Sequence, residues 1–179
     1  GGWCALGDSA IWLCGMENVL RWQMKQPELL DELFEVLVEW ELQRMDAVLD
    51  AGIDVMVHMA WYEGTDFWTP KNYRKLIKPR LKKLVDKAHQ RQVPFRYIIT
   101  KGWKHMRQDL VELGVDCVTG VDPVQDELDL TDVKAEVGEV MCLMGGMSAA
   151  DSQGVNQLST KARELEEVVN KKARMILDE

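Results

Sequence analysis

The densest group of reactive side chains in the 179-residue sequence is His58-Met59-Ala60-Trp61-Tyr62-Glu63-Gly64-Thr65-Asp66-Phe67-Trp68. It sets one imidazole and two carboxylates among large aromatic rings and a phenol. A carboxylate packed against indole and phenol rings loses water, which raises its pKa and suits it to proton transfer. Glu63 is therefore a candidate acid or base, with Trp61 and Tyr62 as substrate-binding walls. In the plain alternative, Trp61 and Trp68 plug a cleft and Glu63 caps the next helix. His58 is a candidate too, although a histidine in such a setting is more often a satisfied packing residue.

Three further places carry chemistry. Thr100-Lys101-Gly102 offers a lysine that can hold a substrate carboxylate as a point charge, or simply sit in solvent. In Gly120-Val121-Asp122-Pro123, the proline forces an extended approach that would aim Asp122 from a fixed backbone. Asp122 can equally accept loop N–H bonds, as aspartates in turns do. Gly145-Gly146 lets a ligand approach backbone N–H groups, or only permits close packing. No phosphate-binding loop or dinucleotide fingerprint occurs. The four cysteines, Cys4, Cys14, Cys117 and Cys142, form no CxxC pair and lack a histidine at ligand spacing. They predict neither a metal site nor a disulfide framework, and they fit a reducing compartment.

These residues need a scaffold, and the pattern around them supplies one. Ala51-Gly52-Ile53, Leu113-Gly114-Val115 and Val137-Gly138-Glu139 each place a glycine between an amphipathic stretch and a short apolar run. A left-handed glycine ends a helix without a Cβ clash and turns the chain into a strand. Strands are expected at 53–59, 95–100, 117–121 and 140–144, rich in Val, Ile, Met and Cys, as strands covered on both faces are. A helix opens at Pro27 and carries a stripe of Leu30, Leu33, Phe34, Leu37, Val38 and Leu42. Another is capped by Thr69-Pro70 and kinked at Pro79, with a basic face from Lys71 to Lys87 read as solvated exterior. A loop at 148–159 and a last helix at 161–176 complete the pattern. The alternation is that of a parallel α/β protein whose functional groups gather at the carboxyl ends of strands. His58, Glu63, Lys101 and Asp122 are thus expected on one rim.

With 46% hydrophobic and 29% charged residues, the chain can build one ordinary core. A formal charge of −8 argues against nucleic acid as a partner. No apolar run approaches the roughly 18 residues of a membrane span, and Gly1-Gly2-Trp3-Cys4 has neither an initiator Met nor a basic signal head. A cytoplasmic protein acting on a small molecule is the expectation.

The ordered series Gly15-Met16-Glu17-Asn18, Asp54-Val55-Met56-Val57 leading to Trp61-Tyr62-Glu63-Gly64, Thr69-Pro70 with Tyr73 and Pro79, Gly114-Val115-Asp116, Val121-Asp122-Pro123 and Leu143-Met144-Gly145-Gly146 resembles the uroporphyrinogen decarboxylase superfamily. The resemblance covers nearly the whole chain. It implies a partial (β/α)8 TIM barrel over residues 1–179, about the C-terminal half, lacking the earlier strands and the final one. Such a fragment would pair with the missing half or with a second copy. The superfamily contains a cofactor-free decarboxylase of carboxylated tetrapyrroles and methyltransferases that act on corrinoid-bound methyl groups. The first implies a lyase in porphyrin biosynthesis without a cofactor, the second a corrinoid partner. The sequence departs from both. Thr100-Lys101-Gly102 stands where the methyltransferases carry a His-x-Cys zinc pair. The decarboxylase's arginine-rich motif and catalytic aspartate would precede Gly1, and its active-site tyrosine falls near Trp12.

Overall fold

The computed structural model describes residues 5–146; the expected loop at 148–159 and helix at 161–176 lie outside them. Two short helices come first, α1 (Leu6–Cys14) and α2 (Met16–Lys25), hinged at Gly15, whose φ of +81° suits a residue without a side chain. Helix α3 (Pro27–Asp50) follows, with Pro27 in its first turn and Leu30, Phe34, Leu37, Val38, Met45 and Leu49 buried along one side.

Strand β1 (Met56–Ala60) starts later than the apolar pattern predicts. The reason is the ladder: pairing begins only where the Met56 N–H reaches the Pro94 carbonyl, leaving Ile53 to Val55 as a connection. After the site loop, Thr69 caps α4 (Pro70–Asn72), its hydroxyl accepting the Asn72 N–H at 3.2 Å. The chain then widens into a π-helical turn (Tyr73–Ile77) before α5 (Lys78–Gln90). Pro79 explains the widening. It has no N–H for the carbonyl one turn back, and the Lys78 N–H bonds Tyr73 instead.

The basic face of this segment is not simply solvated. Arg80 is buried, donates to the Leu76 carbonyl at 2.7 Å and pairs with Asp31 and Glu35 of α3. Lys83 and Lys87 pair with Glu35 and Asp46 of the same helix. Arg74 and Lys78 instead reach Asp109 on the next helix in the chain. The lysines and arginines thus tie neighbouring helices together.

The remaining elements are β2 (Phe95–Ile99), α6 (Trp103–Leu113), β3 (Cys117–Val121), α7 (Leu130–Val137) and β4 (Cys142–Gly145). The glycine joins hold at Gly52 and Gly114, with φ of +77° and +80°. At Gly138 φ is −69°, an ordinary right-handed value, so no left-handed cap is used there.

All four strands are parallel in the order β1-β2-β3-β4. Strand alternation separates two faces. Met56, His58, Ala60, Phe95, Tyr97, Ile99 and Val118 point to the helix layer and are buried. Val57, Met59, Arg96, Ile98, Cys117, Thr119, Cys142 and Met144 point the other way and are half-buried or exposed. At Gly120 the register slips, and a Cβ there would lie 2.1 Å from the Ile99 carbonyl oxygen. Only glycine fits this bulge.

Candidate functional site

The carboxyl ends of the strands share one edge of the sheet, and the Trp61–Trp68 loop, Lys101, Asp122 and Gly145-Gly146 all follow directly from them. His58 does not: it lies in mid-strand on the covered face, opposite Tyr97 in register. Their rings stack with centroids 5.3 Å apart.

Glu63 turns back beneath the loop and is fully buried. Its Oε2 meets His58 Nε2 at 3.0 Å and accepts from the Tyr97 hydroxyl at 2.9 Å. Its Oε1 accepts the Gly7 N–H, in the first turn of α1, at 2.9 Å. Burial alone would raise its pKa, but the His58 charge and these hydrogen bonds bring it below the usual carboxylate value. Burial likewise pushes His58 down, and the adjacent Glu63 more than restores it, so the imidazole is held above its ordinary pKa. Each partner therefore favours the charged form of the other. Burial first, and Glu63 second, push both Tyr97 and the neighbouring Tyr73 far above the normal phenol range.

Asp8 of α1 completes the cluster and carries no signal in the sequence, being one of many acidic residues in an acidic chain. It is buried, and its Oδ2 accepts the Tyr62 N–H at 3.0 Å. Its Oδ1 has no hydrogen-bond partner among the described residues. Burial raises its pKa to about 7, Glu63 adding to the rise against the pull of the Tyr62 N–H and His58. Of the carboxyl groups here, Asp8 is the one poised near neutrality.

The other expected residues separate by role. Trp61 is 39% exposed at the rim, whereas Trp68 is buried against Phe34 and donates to the Tyr62 carbonyl at 2.7 Å. The plug is therefore Trp68 alone. Tyr62 is half-buried, edge-on to Phe67. Lys101 pairs with Asp66 at 3.2 Å, and its backbone lies so close to Gly64 that a Cβ on Gly64 would fall 2.5 Å from the Lys101 carbonyl oxygen. Asp122 is buried and spends its Oδ1 on the N–H groups of Val124 and Gln125 at 2.9 and 3.0 Å. It is the turn residue of its alternative reading.

Gly145 packs against β3, where a Cβ would come within 2.7 Å of the Val121 carbonyl oxygen. With Gly146, Val121, Leu130, Lys134 and Leu143 it lines a cavity of about 190 Å³. Asp126, also without a sequence signal, accepts the N–H groups of Gly102 and Trp103 at 3.0 and 3.1 Å and so caps α6 from the neighbouring loop. Trp12, where the resemblance puts the active-site tyrosine, is half-exposed on α1.

Parallel strands in consecutive order alternating with helices, with polar loops gathered at the carboxyl ends, have the arrangement of part of a (β/α) barrel. The uroporphyrinogen decarboxylase (URO-D) family model matches residues 9–174, and the chain belongs to that family. A solved methyltransferase from Methanosarcina mazei superposes with a TM-score of 0.68 at 20% identity, covering 79% of this chain. The chain spans 40% of that structure's length, so it covers part of the TIM barrel. A search of curated proteins found no match. No helix among the described residues is long and apolar enough to cross a membrane.

Proposed function

We propose that the chain forms part of the rim of a carbon–carbon lyase that removes CO2 from a carboxylated small molecule, a tetrapyrrole or a related compound. The observation that carries this reading is Asp8, a buried carboxyl held near pKa 7 against the Trp61–Asp66 loop. Decarboxylation without a cofactor needs a cation to hold the departing carboxylate and an acid to protonate the carbon it leaves. Lys101 is the cation at the rim, and Trp61 supplies an exposed ring beside it. The acid role passes from Glu63, which the His58 charge keeps ionised, and from Asp122, which is spent on its turn, to Asp8. His58 and Glu63 then position α1 and the loop and fix the field around Asp8.

The test is to incubate a complete barrel protein containing this chain with uroporphyrinogen and follow carboxyl loss by mass spectrometry. Asp8→Asn is expected to lower turnover by roughly 100-fold, the scale of a lost general acid, and Lys101→Met to raise KM. No carboxyl loss with the unaltered protein would sink the reading.

The fold likeness to a methyltransferase favours a second reading, corrinoid-dependent methyl transfer. Against its zinc chemistry, no cluster of three or more His, Cys, Asp or Glu able to hold a metal occurs among the described residues, and Lys101 stands where the zinc pair would be. Retention of a corrinoid protein on the immobilised chain, with zinc present in stoichiometric amount, would favour this alternative.

A further inference from the structure

The rim holds one ion pair that the chemistry proposed above has to break. Lys101, at the carboxyl end of β2, and Asp66, in the loop after β1, meet at 3.2 Å with both side chains partly open to solvent. This edge of the sheet stays at the mouth of a complete barrel, because the loops that follow the strands form that face. The pair therefore stands where a ligand arrives.

The two backbone segments that carry the pair are locked together. Thr100 Oγ1 donates to the Trp61 carbonyl at 3.2 Å. A Cβ on Gly64 would fall 2.5 Å from the Lys101 carbonyl oxygen, and one on Gly102 would fall 2.8 Å from the Thr65 side chain. On the other flank, Asp126 accepts the N–H groups of Gly102 and Trp103 at 3.0 and 3.1 Å. With the chain fixed on both sides, the side chains of Lys101 and Asp66 are the parts left to move. An ammonium is a compact point charge on a flexible stem, and it accepts any carboxylate that reaches it. Asp66 offers one from within the chain, at the high effective concentration of a tethered group.

We propose that Asp66 is a specificity-determining residue: in the free protein its carboxylate holds the position on Lys101 that a substrate carboxylate takes, and a ligand enters by displacing it. The inference rests on the reading of Lys101 as the rim cation. A ligand without a carboxylate leaves the pair closed. A carboxylated ligand gains Lys101 but leaves Asp66 unpaired nearby, so like-charge repulsion adds to the cost of opening the pair. Opening an exposed pair costs a few-fold in affinity, and the repulsion brings the penalty to about tenfold. Selection then falls on ligands that recover this loss through further contacts.

The test is equilibrium binding of uroporphyrin, the oxidised and fluorescent counterpart of uroporphyrinogen, to a complete barrel protein containing this chain. Asp66→Asn is expected to bind it about tenfold more tightly than the parent, and Asp66→Glu, which keeps a carboxylate, to stay within about threefold of the parent. In a Lys101→Met background the gain from Asp66→Asn should fall below about threefold, because there is no pair to open. A purely structural role for Asp66 would not depend on Lys101 in this way, and circular dichroism on each variant checks the fold. Asp66→Asn binding no more tightly than the parent overturns the proposal, as does a gain of equal size with and without Lys101, or no binding by any of the four proteins. Binding is read without turnover, so a protein that binds as expected yet removes no carboxyl group loses the lyase reading and keeps this one.

Discussion

On the helix-covered face of the sheet, His58, Tyr97 and Glu63 satisfy one another and are shut away from solvent. On the opposite face, Arg96, Cys117 and Cys142 stand in register and are half-buried or exposed among the described residues. The contrast follows from strand alternation: one step along β2, from Tyr97 to Arg96, moves a side chain from the layer packed against the helices to the opposite face of the sheet. Buried charge must be paired to be tolerated, so the covered face holds a closed ionic network. Asp8 lies at the margin, buried like the first set and incompletely bonded, which is why its carboxyl is held near neutrality.

The sharpest way to break the contrast is Glu63→Ala. It leaves His58 and the Gly7 N–H unmatched in the interior, and a loss of about 3–5 kcal/mol in urea-unfolding stability is expected. A loss under about 1 kcal/mol would mean that the network does not hold α1 in place. Gly64→Ala comes next. Its Cβ would fall 2.5 Å from the Lys101 carbonyl oxygen, so a cost of about 2–3 kcal/mol is expected.

Asp8→Asn should act in the opposite direction. Because the Asp8 pKa is raised in the folded protein from 3.8 to about 7, the folded chain holds a proton that the unfolded chain has released between those values. Its contribution to stability therefore falls as pH rises from about 4 to 7. The substituted amide still accepts the Tyr62 N–H but cannot ionise, so the variant should be more stable than the parent at pH 8, by up to about 4 kcal/mol, and gain almost nothing at pH 4. Thermal unfolding at the two pH values decides it; a variant less stable at both would remove Asp8 as a strained acid. A gain in stability alongside a loss of turnover would mark a residue kept for function rather than for folding.

The two smallest effects concern the rim. Asp126→Ala removes the cap of α6 and should cost about 1 kcal/mol, with the amides of Gly102 and Trp103 exchanging faster with deuterium. Lys101→Met breaks only an exposed pair with Asp66 and should change stability by less than about 0.5 kcal/mol. A larger change would make Lys101 a structural residue instead of a substrate-facing one.

How much of this is legible along the chain differs with the range of the interaction. The Pro27 helix start, the Thr69-Pro70 cap and the left-handed glycines at 52 and 114 depend on neighbours within one turn, and the structure has them. The effect of Pro79 is visible as a break, although its form, a π-helical turn with Arg80 reaching back to Leu76, needs α3 to supply Asp31 and Glu35. The loop after β1 stands out in the sequence as crowded with polar and aromatic groups. Which carboxyl group near it carries a perturbed proton is not readable there, because Glu63 meets His58 five residues away while Asp8 meets Tyr62 from 54 residues away.

The sequence by itself determined the alternation of parallel strands and helices and the loops at the strand ends where polar groups collect. Those are consequences of hydrophobic period, capping and glycine conformation, all local. Only the tertiary structure decided which face each strand residue shows, that Asp122 is a turn residue and that Asp8 is the acid held near neutrality. Burial and charge proximity set those outcomes, and both depend on segments far apart in the chain.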